Sequence, residues 1–227
     1  MKIGLLIALA IATFSLCATQ PDWNSYKHKA LVFQKRIPGW CTLEKAEKMM
    51  ELIHATEPEI CVEIGVFGGS SIYPTAAALK YFKKGVVFAI DSWSTQDCLE
   101  GYTLEDPDFE WWGSVDLETI YLDFLAMLNT YQLTSFCNVM RLSSQQALAH
   151  FTDGSIDILH IDGNHSEAAA FADVQMYVPK LKQGGYLWFD DVNWISTGKA
   201  LQCLMDPERF VFEKERSTDT CFLFRKI

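Results

Sequence analysis

The sequence predicts an α/β fold: a parallel sheet with helices on both faces and an antiparallel hairpin at the C-terminal end. Short, mostly apolar segments recur along the chain, and segments with helical periodicity separate them. Strands that are apolar on both faces belong to a sheet that helices cover on each side. The two last apolar segments are expected to pair with each other as the hairpin.

The predicted elements alternate regularly. A first helix, over residues 42–56, has an apolar stripe with charged residues off it. The stripe consists of Leu43, Ala46, Met50 and Ile53, and the charged residues are Lys45, Glu47 and Lys48. Strands are predicted over residues 60–64, 86–90, 139–142, 156–161 and 186–189, and the hairpin over 210–212 and 221–224. Further helices are predicted over residues 71–81 and 167–181, the second of them capped by Asn164 with Glu167.

Residues 92–114 show neither helical nor strand periodicity. The segment is rich in acidic and aromatic residues and contains no Lys or Arg. A loop of this length in a compact domain is typically a lid or a binding loop. A solvated surface insertion is the alternative.

Composition restricts the function classes. A chain of 227 residues corresponds to about one large domain. With 49% hydrophobic and 21% charged residues, it is not a disordered chain, a coiled coil or a collagen-like fibre. The net charge of −10, without a long basic cluster, opposes binding to nucleic-acid phosphates. We therefore expect no nucleic-acid partner, and the sequence leaves a homodimer open.

The first 18 residues are interpreted separately from the domain, which is expected over residues 19–227. Lys2 is followed by the uncharged residues 3–17 and then Ala18, the pattern of a secretory signal peptide. This pattern predicts export, or membrane association through residues 3–17 as an N-terminal anchor. If the segment is only an anchor, the domain stays in the cytoplasm.

A glycine-rich turn follows the first strand, in the run Glu63-Ile-Gly65-Val-Phe-Gly68-Gly69-Ser70-Ser71. Glycines allow close approach of a ligand, and the next helix offers free N–H groups. The run lacks the middle glycine of the dinucleotide pattern GxGxxG. It resembles motif I of class I S-adenosylmethionine (SAM) methyltransferases, which implies a Rossmann-like fold. In that family Glu63, Gly65, Gly69 and Ser71 surround the methionine part of the cofactor. Tight strand–helix packing is the alternative explanation.

Further candidate cofactor residues follow the second and third strands. Asp91 ends the second strand, where an acid can accept two hydrogen bonds from a ribose diol. The resemblance implies that Asp91 holds the ribose and that Trp93 covers the adenosine. Ser144-Gln145 resembles the Ser-Gln pair that catechol-type O-methyltransferases place around adenine. A turn role for Asp91 is the alternative.

Three carboxylates follow the fourth and fifth strands: Asp162, Asp190 and Asp191. Like charges in close proximity repel each other unless a cation is present, and oxygen ligands suit Mg²⁺ or another hard divalent cation. Metal-dependent O-methyltransferases of the catechol, caffeoyl-CoA and macrolide-sugar types have such sites, and the Asp-Asp pair is most similar to the macrolide-sugar type. We therefore predict a metal at these three residues. Carboxylates that cap loops or contact SAM are the alternative.

His165 lies three residues after Asp162, as in the macrolide-sugar enzymes. A neutral imidazole there could take the proton of a substrate hydroxyl, so His165 and Asp162 are the predicted catalytic residues. The block of residues 157–191 resembles methyltransferase family 24, whose substrates vary. The resemblance implies SAM-dependent methyl transfer to a small-molecule hydroxyl with metal assistance. The alternatives are a metal-independent N- or O-methyltransferase and a non-catalytic exported binding module.

Overall fold

A seven-stranded mixed sheet lies at the centre of the computed structural model, which describes residues 20–106 and 108–227. The strands are β1 (Ile60–Ile64), β2 (Val86–Asp91), β3 (Cys137–Arg141), β4 (Ile156–Ile161), β5 (Leu181–Phe189), β6 (Phe210–Phe212) and β7 (Phe222–Lys226). Their spatial order is β3-β2-β1-β4-β5-β7-β6. Strands β1 to β5 pair in parallel, and β7 pairs antiparallel with both β5 and β6.

Helices cover both faces of this sheet. They are α1 (Trp23–Gln34), α2 (Leu43–Thr56), α3 (Ile72–Phe82), α4 (Thr95–Cys98), α5 (Phe109–Ser114), α6 (Leu117–Thr130), α7 (Ser144–Ala147), α8 (Glu167–Tyr177) and α9 (Gly198–Leu204). Helices α1, α2, α3 and α6 pack into one hydrophobic cluster, and α7, α8 and α9 pack into a second. Strand β1 contributes Cys61 to the first cluster and Val62 to the second, because successive strand residues point to opposite faces.

The predicted fold class is confirmed: a Rossmann-like parallel sheet with an antiparallel C-terminal hairpin and helices on both faces. Strands β1 and β4 have the predicted bounds. Strand β5 begins at Leu181 rather than at residue 186, because α8 ends at Tyr177 and a short 3₁₀ turn leads directly into the strand. The long segment 92–114 contains the two short helices α4 and α5.

The N-terminal cap of α8 differs from the prediction. The cap is Ser166, whose hydroxyl accepts a hydrogen bond from the Ala169 amide. Asn164 accepts from the Ser166 amide instead, and its side-chain NH₂ group faces the segment 97–100. An Asn and a Ser two residues apart are both good cap residues, and the sequence spacing alone does not choose between them.

The predicted signal peptide or anchor, residues 1–18, lies outside the described residues. Within residues 20–106 and 108–227, no helix has the length and hydrophobicity needed to cross a membrane. Strand β1 lies between β2 and β4, where the strand order changes direction. Ligands of such sheets bind at this point, outside the carboxyl ends of the strands.

Candidate active site

A cavity of about 1290 Å³ opens at the carboxyl ends of the parallel strands. Residues that follow each of β1 to β5 line it, together with Lys45 from α2 and two tryptophans from α5. This volume is above the range of about 300–1,000 Å³ typical of ligand pockets. The cavity therefore has room for a cofactor and a small substrate side by side.

Two of the three glycines in the turn after β1 have left-handed backbones, with φ of 83° at Gly65 and 86° at Gly69. A Cβ atom at Gly65 would overlap the carbonyl oxygen of Asp162, and one at Gly69 would overlap the ring of Phe124. Gly65 lines the cavity, whereas Gly69 packs beneath it against α6. Close packing thus explains why position 69 needs glycine, and its predicted cofactor contact stays a prediction.

Glu63 lies beneath the cavity and is only 1% exposed. The Ser71 hydroxyl donates a hydrogen bond of 2.5 Å to Glu63 Oε1, and His160 Nδ1 lies 3.0 Å from Oε2. Ser71 lines the cavity, but Glu63 does not. Glu63 therefore acts on the site through Ser71, whose hydroxyl it orients.

Asp91 lines the cavity and holds the turn after β1 in place. Its Oδ2 accepts hydrogen bonds from the amides of Val66 (2.9 Å) and Phe67 (3.0 Å), and its Oδ1 accepts from Trp93 (2.7 Å). Burial raises the pKa of Asp91, and these amide bonds offset part of the rise. A carboxylate offers about four acceptor positions, so one remains for a ribose hydroxyl.

Trp93 does not line the cavity. Its indole is 3% exposed and packs between Tyr121 and Phe124 of α6, and its Nε1 donates to the Phe67 carbonyl (3.0 Å). The left-handed backbone of Trp93, with φ of 45°, accompanies this inward side chain. The structure therefore places Trp93 as a support of the turn rather than as a cover for adenosine. Ser144 and Gln145 do line the cavity.

A buried lysine lies between two of the predicted metal ligands. Lys45 Nζ lies 3.2 Å from Asp162 Oδ2 and forms an ion pair with Asp190 Oδ2. Burial lowers the pKa of Lys45, but Asp162 and other neighbouring groups outweigh it, and the pKa lies above its ordinary value. Burial likewise raises the pKa of Asp162, but Lys45 and the nearby histidines hold it well below its usual range. Both groups are charged at neutral pH.

The third carboxylate pairs with the predicted base. His165 Nε2 lies 2.7 Å from Asp191 Oδ2 and 3.9 Å from Asp162 Oδ1. Burial alone would lower the pKa of His165, but its interactions with Asp162 and Asp191 outweigh burial and raise the pKa to about 9. In this arrangement the imidazole is mostly protonated at pH 7. It becomes a proton acceptor only at higher pH.

The three predicted metal ligands are divided between two clusters of side chains. In the described part of the chain, two clusters have ligand atoms within 4.8 Å of one another: Asp162–His165–Asp191 and His160–Asp190–Cys221. Neither cluster contains all three predicted carboxylates. Two of these carboxylates pair with the ammonium of Lys45 and the third with the imidazole of His165. The predicted set of three aspartates does not fit a single hard divalent ion in this arrangement.

Four aromatic rings form a wall on another side of the cavity: Trp40, Phe67, Trp111 and Trp112. The ring centroids of Trp40 and Phe67 lie 4.9 Å apart, and those of Trp111 and Trp112 lie 4.7 Å apart. Trp40 is 66% exposed and Trp111 is 42% exposed. This aromatic wall offers a large apolar surface to a ligand.

The segment that carries part of this wall is tied to the loop after β4. The Asn164 side-chain amide donates to the carbonyl oxygens of Asp97 (3.1 Å), Cys98 (3.2 Å) and Glu100 (2.9 Å). Tyr102 from the same segment lines the cavity with them. The segment 92–114 therefore borders the cavity, as expected of a binding loop.

Comparison with known proteins identifies the family. Residues 62–192, more than half of the chain, match the family of methyltransferase domains numbered 24. The chain belongs to this family. Residues 62–192 form a methyltransferase domain. An uncharacterized protein, y4gI, of Sinorhizobium fredii (strain NBRC 101917 / NGR234) is 29% identical over 143 residues, which is 63% of this chain but only 14% of that protein.

Solved structures share the fold of this methyltransferase at low sequence identity. The SAH-bound methyltransferase PaMTH1 of Podospora anserina is 13% identical, with a TM-score of 0.61 over 89% of this chain and 88% of that chain. An O-methyltransferase of Bacillus cereus in complex with SAH is 12% identical, with a TM-score of 0.59 over 93% of each chain. SAH is S-adenosylhomocysteine, the demethylated form of SAM.

The cavity of this methyltransferase fits SAM. Asp91 keeps one acceptor position for a ribose hydroxyl, and the turn after β1 presents Gly65 without a side chain. Two cavity features escaped the sequence analysis: Lys45 and the aromatic wall. The helical spacing of residues 45, 49 and 53 could have indicated that Lys45 is buried, because Met49 and Ile53 lie on the same face of α2 and are both buried.

Proposed function

We propose that this methyltransferase transfers the methyl group of SAM to a hydroxyl group of a small, largely apolar molecule. The observation that carries the proposal is one cavity that holds three parts: Asp91 beside the glycine turn, His165 beside Asp191, and the aromatic wall. A cofactor position, a proton acceptor and an apolar surface are what such a transfer requires.

Residues at the ends of β1, β2 and β3 are proposed to hold the cofactor. Asp91 would bind the ribose, Gly65 and Ser71 would adjoin the methionine part, and Ser144 with Gln145 would adjoin the adenine. SAM, when bound, supplies a methyl group on a positively charged sulfur, and this methyl passes to the acceptor oxygen as the carbon–sulfur bond breaks. Alignment of donor and acceptor in one cavity provides much of the rate.

Residues after β4 and β5 are proposed to act on the acceptor. The aromatic wall packs against its apolar part, and the neutral imidazole of His165 receives the proton of its hydroxyl group. Asp162 and Asp191 position His165 through the contacts described above. Because the pKa of His165 is about 9, the rate of transfer should rise as the pH approaches this value.

The test is formation of SAH with a panel of phenols, aliphatic alcohols and the matching amines. We expect turnover with hydroxyl acceptors and at least a hundredfold lower rate for His165→Gln, with unchanged SAM affinity by calorimetry. Asp153→Asn is the control, because Asp153 is a surface residue paired with Lys180. Turnover with amines alone would favour N-methylation, the alternative on the same fold.

A further inference from the structure

The side chain of Lys45 is the most deeply buried cation of the cavity. Lys45 is 4% exposed, and lysine is almost never this buried unless it is paired. Its ammonium group contacts Asp162 and Asp190, at the ends of β4 and β5. The structure therefore places a positive charge of the protein between two carboxylates that the sequence assigned to a metal ion.

The position of Lys45 in its helix is unfavourable for a cation. Thr42 is the N-cap of α2, and its side chain accepts a hydrogen bond from the Lys45 amide (3.1 Å). Lys45 thus lies in the first helical turn, where the helix dipole disfavours a cation. Its neighbours Ala46 and Met49 are buried in the core and fix the direction of the side chain. The two aspartates are the groups that compensate this unfavourable placement.

We propose that the Lys45 ammonium takes the place of a divalent metal ion in this active site. It compensates Asp162 and Asp190, and it faces the cavity as a fixed donor to the acceptor oxygen. Methyl transfer by this chain therefore needs no metal. The part concerning the acceptor rests on the proposed function, whereas the replacement of the metal does not.

The competing arrangement is a metal bound by Asp162, His165 and Asp191. Such an ion would replace the direct contact between His165 Nε2 and Asp191 Oδ2, which lie 2.7 Å apart, with its own bonds to the two atoms. It would also face the ammonium of Lys45 across Asp162. Both contacts oppose binding of a divalent cation at this cluster.

The experiment measures Mn²⁺ binding to the full chain by calorimetry and electron paramagnetic resonance, without SAM or acceptor. The wild type should bind no Mn²⁺ at concentrations up to about 1 mM, a range in which even weak sites for divalent cations are occupied. Lys45→Met keeps the apolar stem but removes the charge, so two carboxylates lose their partner. This variant should bind Mn²⁺ at least about tenfold more tightly than the wild type.

Lys48→Met is the matched control, because Lys48 lies on the same helix but outside the cavity, where it pairs with Glu44 and donates to the carbonyl oxygen of Ser217. It should leave Mn²⁺ binding as in the wild type. Methyl transfer by the wild type should resist EDTA, and Lys45→Met should lose at least about tenfold in rate while SAM affinity is kept. Thermal unfolding of each variant shows whether it is folded. The Mn²⁺ measurement on the wild type tests the proposal even if a variant does not fold.

Three results would overturn the proposal. They are micromolar Mn²⁺ binding by the wild type that His165→Gln abolishes, Lys45→Met without any gain in Mn²⁺ affinity, and EDTA-sensitive transfer by the wild type. The Mn²⁺ measurements do not depend on turnover. If no acceptor in the panel is methylated, the proposed function fails while the assignment of Lys45 is still decided.

Discussion

Replacement of Asp191 by Asn should lower the pKa of His165, because it removes the nearest negative charge from the imidazole. His165 Nε2 lies 2.7 Å from Asp191 Oδ2 and 3.9 Å from Asp162 Oδ1. Together these carboxylates raise the pKa of His165 from 6.5 to about 9 against the effect of burial. With only Asp162 left, we expect a pKa between roughly 7 and 8, since one close opposite charge shifts a pKa by about 1 to 3 units.

The expected change in the rate of methyl transfer at pH 7 follows from the fraction of His165 that is neutral. A base of pKa about 9 is about 1% neutral at this pH, whereas a base of pKa 7.5 is about 25% neutral. The rate of methyl transfer at pH 7 should therefore rise on the order of tenfold in Asp191→Asn, less the loss of base strength that accompanies a lower pKa. Well above pH 9 the advantage of Asp191→Asn should disappear, because His165 is then mostly neutral in both proteins.

The assay is an NMR titration of the imidazole signals in the resting protein, followed by the pH dependence of the rate. The titration reports the proton on His165 whether or not an acceptor is known. Asp153→Asn removes a surface carboxylate that pairs with Lys180 and not with His165, so the titration of His165 should be the same as in the wild type. A wild-type midpoint near 6.5, or an unchanged midpoint in Asp191→Asn, would refute the reasoning.

Four further outcomes are expected. Because the pKa of His165 is raised in the folded state, its protonation stabilises the fold by on the order of 3 kcal/mol below pH 6.5, and this stabilisation is lost as the pH rises through about 9. Urea unfolding at several pH values should show this loss of stability in the wild type and not in His165→Gln. Asp91→Ala leaves three backbone amides without an acceptor and should cost roughly 3 kcal/mol and weaken SAM binding at least about tenfold in calorimetry. Trp111→Ala should raise KM for the acceptor several-fold without a change in SAM affinity. Asn164→Asp should speed hydrogen exchange of residues 97–100, because a carboxylate cannot donate to their carbonyl groups.

The sheet could be predicted from sequence because its strands are buried on both faces. Strand β1 and strand β4 are short apolar runs bounded by turn residues, and only a covered parallel sheet accounts for several of these in succession. The same logic placed Asp91, Asp162 and Asp190 at one edge, where the structure has them. Helices α1 and α6 were not predicted, although both contribute to the first hydrophobic cluster.

Contacts between distant segments could not be predicted in this way. Lys45 is 117 residues from Asp162 in sequence, and its charge placed it with the solvated residues of α2. Of the four residues assigned to the buried stripe of α2, Ala46, Met50 and Ile53 are buried, and only Leu43, at the first position of the helix, is 37% exposed. The buried face is wider than the predicted stripe and includes Lys45, because a charged residue is assigned to solvent unless its partner is known.

Residues with a strained, left-handed backbone are also found near the cavity. Six residues other than glycine have positive φ in the described ranges, and three of these follow helices: Glu57, Lys83 and Gln132. A left-handed residue is an ordinary helix ending. The other three are Phe67, Trp93 and Asp191, and all of them belong to the turns that form the active site.

Such conformations persist only where the surrounding structure holds them, at a cost of about 1–3 kcal/mol each. Asp91 holds two of them, since its carboxylate accepts from the amides of both Phe67 and Trp93. The third, Asp191, is followed by a turn in which the Thr197 hydroxyl donates to its carbonyl oxygen (2.7 Å). Asp91 therefore has a structural role in addition to its proposed role in binding the cofactor. The two roles are separable, because Asp91→Asn keeps acceptor capacity for some of the amides while it removes the charge that a ribose diol would meet.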